Sequence, residues 1–242
     1  NLSTLNNSIT KLYGGKEIVL SETRTLREGE AANAFYLRKW AGVDPTNGNP
    51  LWYKNGVDGE TTSNYNEAQR AVQGSPLSTL YGGVTTKLSY KGFSLDAQLS
   101  FGFGNKVYDS YAYLVQSDGL RTHLYPGYKS QLDYWTPENP NALNPKPIYG
   151  KGNNSAHQPS TRYLYKGDYM RLRTLKLAYN IKSELLERTG LRGLQIYLLG
   201  DNIWTHNFDK NFKYDPDLQV NGYVTFQIPP MKTYSLGVNI NF

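Results

Sequence analysis

Apolar and polar residues alternate with a period of two along several stretches of this chain. Within residues 78–106, Leu80, Val84, Leu88 and Tyr90 share one parity, while Tyr81, Thr85, Lys87 and Ser89 share the other. Beyond Lys91-Gly92, the apolar residues Phe93, Leu95, Ala97, Leu99, Phe101 and Phe103 alternate with Ser94, Asp96, Gln98, Ser100, Gly102 and Gly104. Successive side chains of a strand point to opposite faces, so each stretch predicts a strand with one apolar and one polar face. Lys91-Gly92 predicts the tight turn between them. The chain closes in the same way: Tyr234, Leu236, Val238, Ile240 and Phe242 alternate with Thr233, Ser235, Gly237, Asn239 and Asn241.

Two more strands are expected, over about 168–181 and 194–204. In the second, Leu194, Ile196 and Leu198 alternate with Gln195 and Tyr197. In the first, Leu175, Leu177, Tyr179 and Ile181 share a parity, but Met170 and Leu172 lie on the opposite one, which predicts a bulge near Arg173–Thr174. Between these strands Ser183 can cap a short helix running through Arg188 and ended by Gly190. A second short helix is expected at Asn66–Val72.

The connections are unequal. Lys91-Gly92 and residues 182–193 are short, whereas 107–165 and 205–230 are long and rich in Tyr, Asn, Pro and Gly, and 13–77 has no simple strand pattern. Short turns at one end and long loops at the other are the asymmetry of an outer-membrane barrel. Residues 1–12 fit as the end of one more outward strand. Such a small set of strands would leave open edges in lipid, which a bilayer does not tolerate. The expected fold class is therefore all-β: antiparallel transmembrane β-barrel strands, the C-terminal part of a larger barrel, with long extracellular loops.

Composition changes this picture in a few places. Across 242 residues there are 21 Tyr and 23 Gly, which suits strands, edges and turns. The mean hydropathy of −0.60 does not exclude a membrane, because a barrel strand is apolar on one face only. The absence of cysteine removes disulfides, thiolate catalysis and cysteine zinc sites together. The net charge of +6 is spread along the chain without a basic block, so nucleic acid is not an expected partner. The chain opens on Asn1 with no charged and then apolar leader pattern, which fits a processed or longer protein.

Aromatic residues supply the candidate binding groups. Flat rings suit the apolar faces of sugars, and aromatics are favoured at binding surfaces. Trp52, Tyr53 and Trp135, in the expected loops, are the candidate substrate contacts; Trp204, at a strand end, reads as part of an interfacial aromatic girdle. Lys87, Asp96, Gln98 and Lys176 fall on the polar parity and read as inner wall. Asp44-Pro45 and Asp215-Pro216-Asp217 lack an EF-hand pattern and read as turn chemistry and loop solvation. His123, His157 and His206 are isolated, and no nucleophile elbow, phosphate loop or dinucleotide fingerprint occurs. No catalytic residue, metal or cofactor is expected.

Taken in order, these segments resemble the SusC/RagA-type TonB-dependent outer-membrane transporters. The resemblance rests on Asn6-Asn7-Ser8-Ile9-Thr10-Lys11-Leu12, Phe35-Tyr36, Ala41-Gly42-Val43-Asp44-Pro45 with Gly48, and Pro50-Leu51-Trp52-Tyr53. It continues through Tyr81-Gly82-Gly83, Ser89-Tyr90-Lys91-Gly92-Phe93 and Gly104-Asn105-Lys106-Val107-Tyr108. Gly167-Asp168-Tyr169-Met170-Arg171-Leu172-Arg173, Gly200-Asp201-Asn202 and the closing Tyr234 to Phe242 complete it.

That resemblance implies a plugged barrel of about 22 strands in the outer membrane of a Gram-negative bacterium. Residues 1–242 would be its C-terminal portion, with the plug and N-terminal barrel strands outside this chain. It further implies uptake of an oligosaccharide or peptide, with a SusD-like surface lipoprotein as partner and TonB reached through the missing N-terminal part. Tyr234 and Phe242 would belong to the terminal barrel-assembly signal. A self-contained outer-membrane adhesin or small barrel, and a soluble carbohydrate-binding sandwich, are the alternatives left open by the residues themselves.

Overall fold

The computed structural model describes residues 1–242 apart from 183, 185, 187–189, 218, 219 and 226. Its largest element is an antiparallel sheet of six strands: β1 (Leu2–Thr4), β9 (Leu80–Tyr90), β10 (Phe93–Phe103), β13 (Tyr169–Asn180), β14 (Gly193–Asn207) and β16 (Thr233–Asn241), paired in that order. The strands between these numbers lie in the connections and are given below. The sheet is open, with β1 and β16 at its two edges.

The register puts the apolar parities together. Leu95 opposes Leu88 on β9 and Leu177 on β13, while Leu198 on β14 opposes Leu177 and Leu236. One face is therefore a continuous row of Leu, Ile, Val, Phe and Tyr, and it is exposed: Leu88 is 59% and Leu236 77% accessible. The other face carries Lys87 and Asp96, 3.8 Å apart, with Lys176 opposite Asp96. An open apolar sheet face of this size is what a strand wall facing lipid presents.

The predicted bulge is present. Pairing of β10 with β13 skips Arg173, so that Leu99 faces Leu172 and Phe101 faces Met170. Met170 and Leu172 thereby join the apolar face despite their parity. The neighbouring strand answers the extra residue, passing from Asp201 to Trp204 as β13 passes from Thr174 to Leu172, with Asn202 in a left-handed conformation at φ 52°. At the far end Lys91 (φ 46°) and Gly92 (φ 90°) form the two-residue turn with both φ positive, whose twist matches a hairpin.

Every long connection leaves the same end of the sheet, and these connections are not loose loops. The first holds a four-stranded sheet of β2 (Ile18–Ser21), β3 (Arg24–Leu26), β4 (Ala34–Arg38) and β8 (Arg70–Val72). It also holds a three-stranded sheet of β5 (Trp40–Val43), β6 (Pro50–Tyr53) and β7 (Thr61–Thr62). The second connection supplies β11 (Lys106–Asp109), the short helix α1 (Ala112–Val115) and β12 (Leu164–Lys166), and the third adds β15 (Tyr223–Val224) beside β11.

Two sequence expectations are corrected or left aside here. The helix expected at Asn66–Val72 does not form: Arg70–Val72 is a strand whose backbone pairs with Tyr36–Arg38, so tertiary pairing overrides local propensity. The helix expected from Ser183 to Arg188 falls largely outside the described residues. Among the described residues no helix is long and apolar enough to cross a membrane.

The core sits in this cap of connections. Phe35, Leu37, Tyr108, Ala112 and Tyr163 form one buried cluster, with Leu164 and Tyr223 against it. Arg24 crosses it, its guanidinium 3.6 Å from the centre of the Phe35 ring and 4.6 Å from that of Tyr223. Arg24 also donates to the carbonyls of Asn33 and Asn221 and to the Tyr223 hydroxyl, tying the first connection to the third.

Candidate functional site

The aromatics singled out from the sequence are mostly structural in placement. Trp52 on β6 is fully buried, its ring edge-on to Trp40 at 5.6 Å and to Tyr65 at 5.4 Å. Trp135 is buried and donates its indole N–H to the Pro45 carbonyl at 3.0 Å. Its ring fills the space beside Gly48, where a Cβ would stand 2.6 Å from it and where φ is +77°. Tyr53 is half-buried beneath the Lys39 ammonium, 5.3 Å away. The three do not line one common surface in the fold; they hold the first connection in shape.

Trp204 and its neighbours make a different arrangement. Trp204 and His206 stack at 6.1 Å and 12°, Phe208 stands 4.8 Å from His206, and Phe103 lies 5.3 Å from Phe208. This aromatic row follows the apolar face to the cap end of the sheet, where lipid headgroups would meet a barrel wall. Tyr234 begins the apolar stripe of β16 and Phe242 directly follows the strand; both are exposed.

The family-like segments explain one another once folded. Asp168 accepts from the Gly104 N–H at 2.6 Å, and the Gly167 N–H donates to the Asn105 carbonyl at 2.9 Å. A Cβ on Gly167 would collide with the Asn105 side chain, so glycine is required there. Just beyond, Arg171 is fully buried on the polar face and pairs with Asp215 and, at 3.6 Å, with Asp217. Arg173 pairs with Asp217 as well, and the Tyr169 hydroxyl donates to it at 3.0 Å. The Asp215-Pro216-Asp217 segment is thus fastened to the wall rather than solvated as expected. Asp44, by contrast, makes the expected turn, accepting from the Thr46 N–H at 2.8 Å.

All three connections meet at a cleft of about 440 Å³. Trp40 comes from the first; Asp109, Tyr128, Arg162 and Tyr165 from the second; Asp209, Lys213 and Tyr214 from the third. Sequence spacing gave no sign of it, because its groups come from three separate connections, from Trp40 to Tyr214, and none forms a local motif. Arg162 anchors its floor, with Nη2 2.8 Å from both Asp118 Oδ1 and Asn144 Oδ1. Burial opposes the Arg162 charge, but Tyr163 and Asp118 outweigh it and hold the guanidinium above its ordinary value.

Asp109 is the unusual member. Only 2% exposed, it uses Oδ1 to accept the Tyr111 N–H at 3.0 Å at the start of α1, while Oδ2 has no partner. Burial pushes its carboxyl up to about 6, against the pull of the Tyr111 and Ala112 N–H groups. Burial, with the Asp109 charge behind it, pushes Tyr165 up to about 12. Among the described residues no group of three or more His, Asp or Glu side chains could hold a metal ion.

No family model matches the chain. It is 24% identical over 275 residues to the TonB-dependent receptor P3 of Formosa agariphila, an alignment covering 100% of this chain and 26% of that protein. To the TonB-dependent receptor P26 of the same organism it is 28% identical over 182 residues, 71% of this chain and 18% of that one. In structure it superposes on a chain of the RagAB peptide transporter with a TM-score of 0.81 and 29% identity, covering 97% of this chain and 26% of that chain. A closed-closed state of the RagAB peptide importer gives a TM-score of 0.80 at 29% identity over the same 97%. The chain thus spans between about a fifth and a quarter of the length of these relatives. In sequence the chain is thus similar to TonB-dependent receptors, and its sheet and cap follow a chain of RagAB, a SusC/RagA-type transporter, over almost their whole length.

Proposed function

We propose that this chain supplies wall and external loops to a TonB-dependent nutrient importer in the outer membrane of a Gram-negative bacterium. The carrying observation is the pairing of an open, one-sidedly apolar antiparallel sheet with a folded cap at one end, in a chain of which 97% superposes on part of the RagAB peptide transporter. In this reading the remaining strands and a plug come from sequence outside this chain, and TonB drives the plug's displacement. A SusD-like lipoprotein meets the cap from outside, and the ligand is a peptide or an oligosaccharide. Of the sequence candidates, Tyr53 keeps a partly open ring for ligand, while Trp52 and Trp135 shape the loops that hold it.

The test is uptake of fluorescent oligopeptides and oligosaccharides by cells producing the complete transporter, with and without TonB. Accumulation of one class inside the cells, lost when TonB is removed, supports the reading. Surface binding that is indifferent to TonB, with nothing taken up, would replace it with an adhesin.

A further inference from the structure

We propose that the cleft where the three connections meet is a subsite for a single protonated amine, anchored by Asp109 Oδ2 and flanked by the rings of Trp40, Tyr128 and Tyr165. The inference deepens the importer reading and rests on it for the existence of a ligand. Its starting point is an imbalance: Asp109 lines this cleft of about 440 Å³ and is almost wholly buried, and its Oδ2 has no hydrogen-bond partner. A buried charge left unpaired is costly, and a partner that enters from outside removes that cost.

The surroundings say what kind of partner. The other charged groups of the cleft are already engaged. Arg162 is held by Asp118 and Asn144; Asp209 accepts the N–H groups of Asn211 at 3.0 Å and Lys166 at 3.1 Å; Lys213 donates to the Lys210 carbonyl. The phenols are engaged too, with Tyr128 bonded to Tyr214 and Tyr165 to Gln116. Ser130, Thr161 and Asn211 also line the cleft and can meet a hydroxyl, but a neutral sugar brings no charge to offset the unpaired carboxylate. A divalent cation is held by clustered carboxylates, and among the described residues no group of three or more His, Asp or Glu side chains could hold one. An ammonium needs one strong acceptor and gains from aromatic faces around it. A lysine side chain or a free amino terminus of a peptide meets that description.

Two probes of nearly equal shape decide the matter: Nα-acetyl-lysine methylamide and its Nε-acetylated counterpart, titrated against the complete transporter in detergent and followed by saturation-transfer NMR. Charge-assisted recognition predicts that the amine binds about tenfold or more tightly than the acetylated probe. In Asp109→Asn, which keeps the Oδ1 acceptor for α1, both probes bind alike and at the weaker level. Tyr128→Leu, with the carboxylate intact, weakens the amine alone. Equal binding of both probes to the natural protein, no binding of either, or a preference that survives in Asp109→Asn overturns the proposal. So does displacement of the amine by a neutral maltooligosaccharide. Because the readout is binding rather than uptake, a negative result here leaves the TonB-dependence of transport standing or falling by itself.

Discussion

Trp52 and Leu236 are both large apolar side chains, and the fold treats them in opposite ways. Trp52, in the cap, is 0% exposed and edge-on to two aromatic rings, while Leu236, in the wall, is 77% exposed with nothing packed outside it. The cap is organised as a water-soluble domain is, around buried side chains and polar groups that are mostly hydrogen-bonded, Asp109 Oδ2 being one of the exceptions. The wall is organised as a surface whose apolar side is completed by another solvent. One chain is therefore written in two conventions, and rules drawn from one half mislead in the other.

Substitutions can break or sharpen that contrast, and the largest effects belong to the cap. Trp52→Ala should destabilise it by about 3–5 kcal/mol through lost packing. Arg162→Met should do the same through the buried charge it leaves on Asp118, again by about 3–5 kcal/mol. Amide exchange over residues 34–72 and 104–165 in the complete transporter would register both as loosened protection, with the wall strands β9, β10, β13, β14 and β16 unaffected. Loss of protection in the wall as well would mean that the two regions are one cooperative unit.

Next in size, Leu198→Arg places a charge on the lipid side of β14 and should cost about 2–4 kcal/mol in a bilayer. Folding yield into vesicles measures it, and Leu199→Arg, on the polar face opposite Lys176 and Ser235, is the control expected to fold better. Equal yields would remove the assignment of faces.

A smaller effect concerns pH. The Asp109 carboxyl, at about 6 when folded against an ordinary 3.8, holds a proton between those values that the unfolded chain releases. The cap should thus be most stable below about pH 4 with respect to this group, and lose stability as pH rises through 6, by about 1–3 kcal/mol. Asp109→Asn should flatten that segment of the profile. An unchanged slope would show that the carboxyl is not desolvated. Smallest of all, Leu236→Ala should change stability in lipid by less than about 1 kcal/mol, since lipid fills the space that a protein core would leave empty.

The wall was legible in the sequence and the cap was not, for a physical reason. Period-two alternation is a local signal, so the strands around Leu88, Leu95, Leu198 and Leu236 could be placed, and even the bulge at Arg173 followed from the parity change at Met170 and Leu172. The cap is built from short strands paired across long separations. Arg70–Val72 reads as helix locally and becomes strand only beside Tyr36–Arg38, and Arg24 reaches Asn221 and Tyr223 almost two hundred residues away. The candidate cleft has the same character. Asp109 and Arg162 each look ordinary in sequence, and what sets them apart is burial and the presence or absence of a partner.

The most direct test of the two-solvent account uses the absence of cysteine from this chain. Single cysteines placed at 84–89 and 234–239, spin-labelled in the complete transporter in vesicles, report collision with oxygen, which concentrates in lipid, and with a water-soluble nickel complex. The account predicts strict alternation, with labels at 84, 86, 88, 234, 236 and 238 favouring oxygen and those between them favouring nickel. Uniform nickel access along both strands would contradict it and return the apolar face to water.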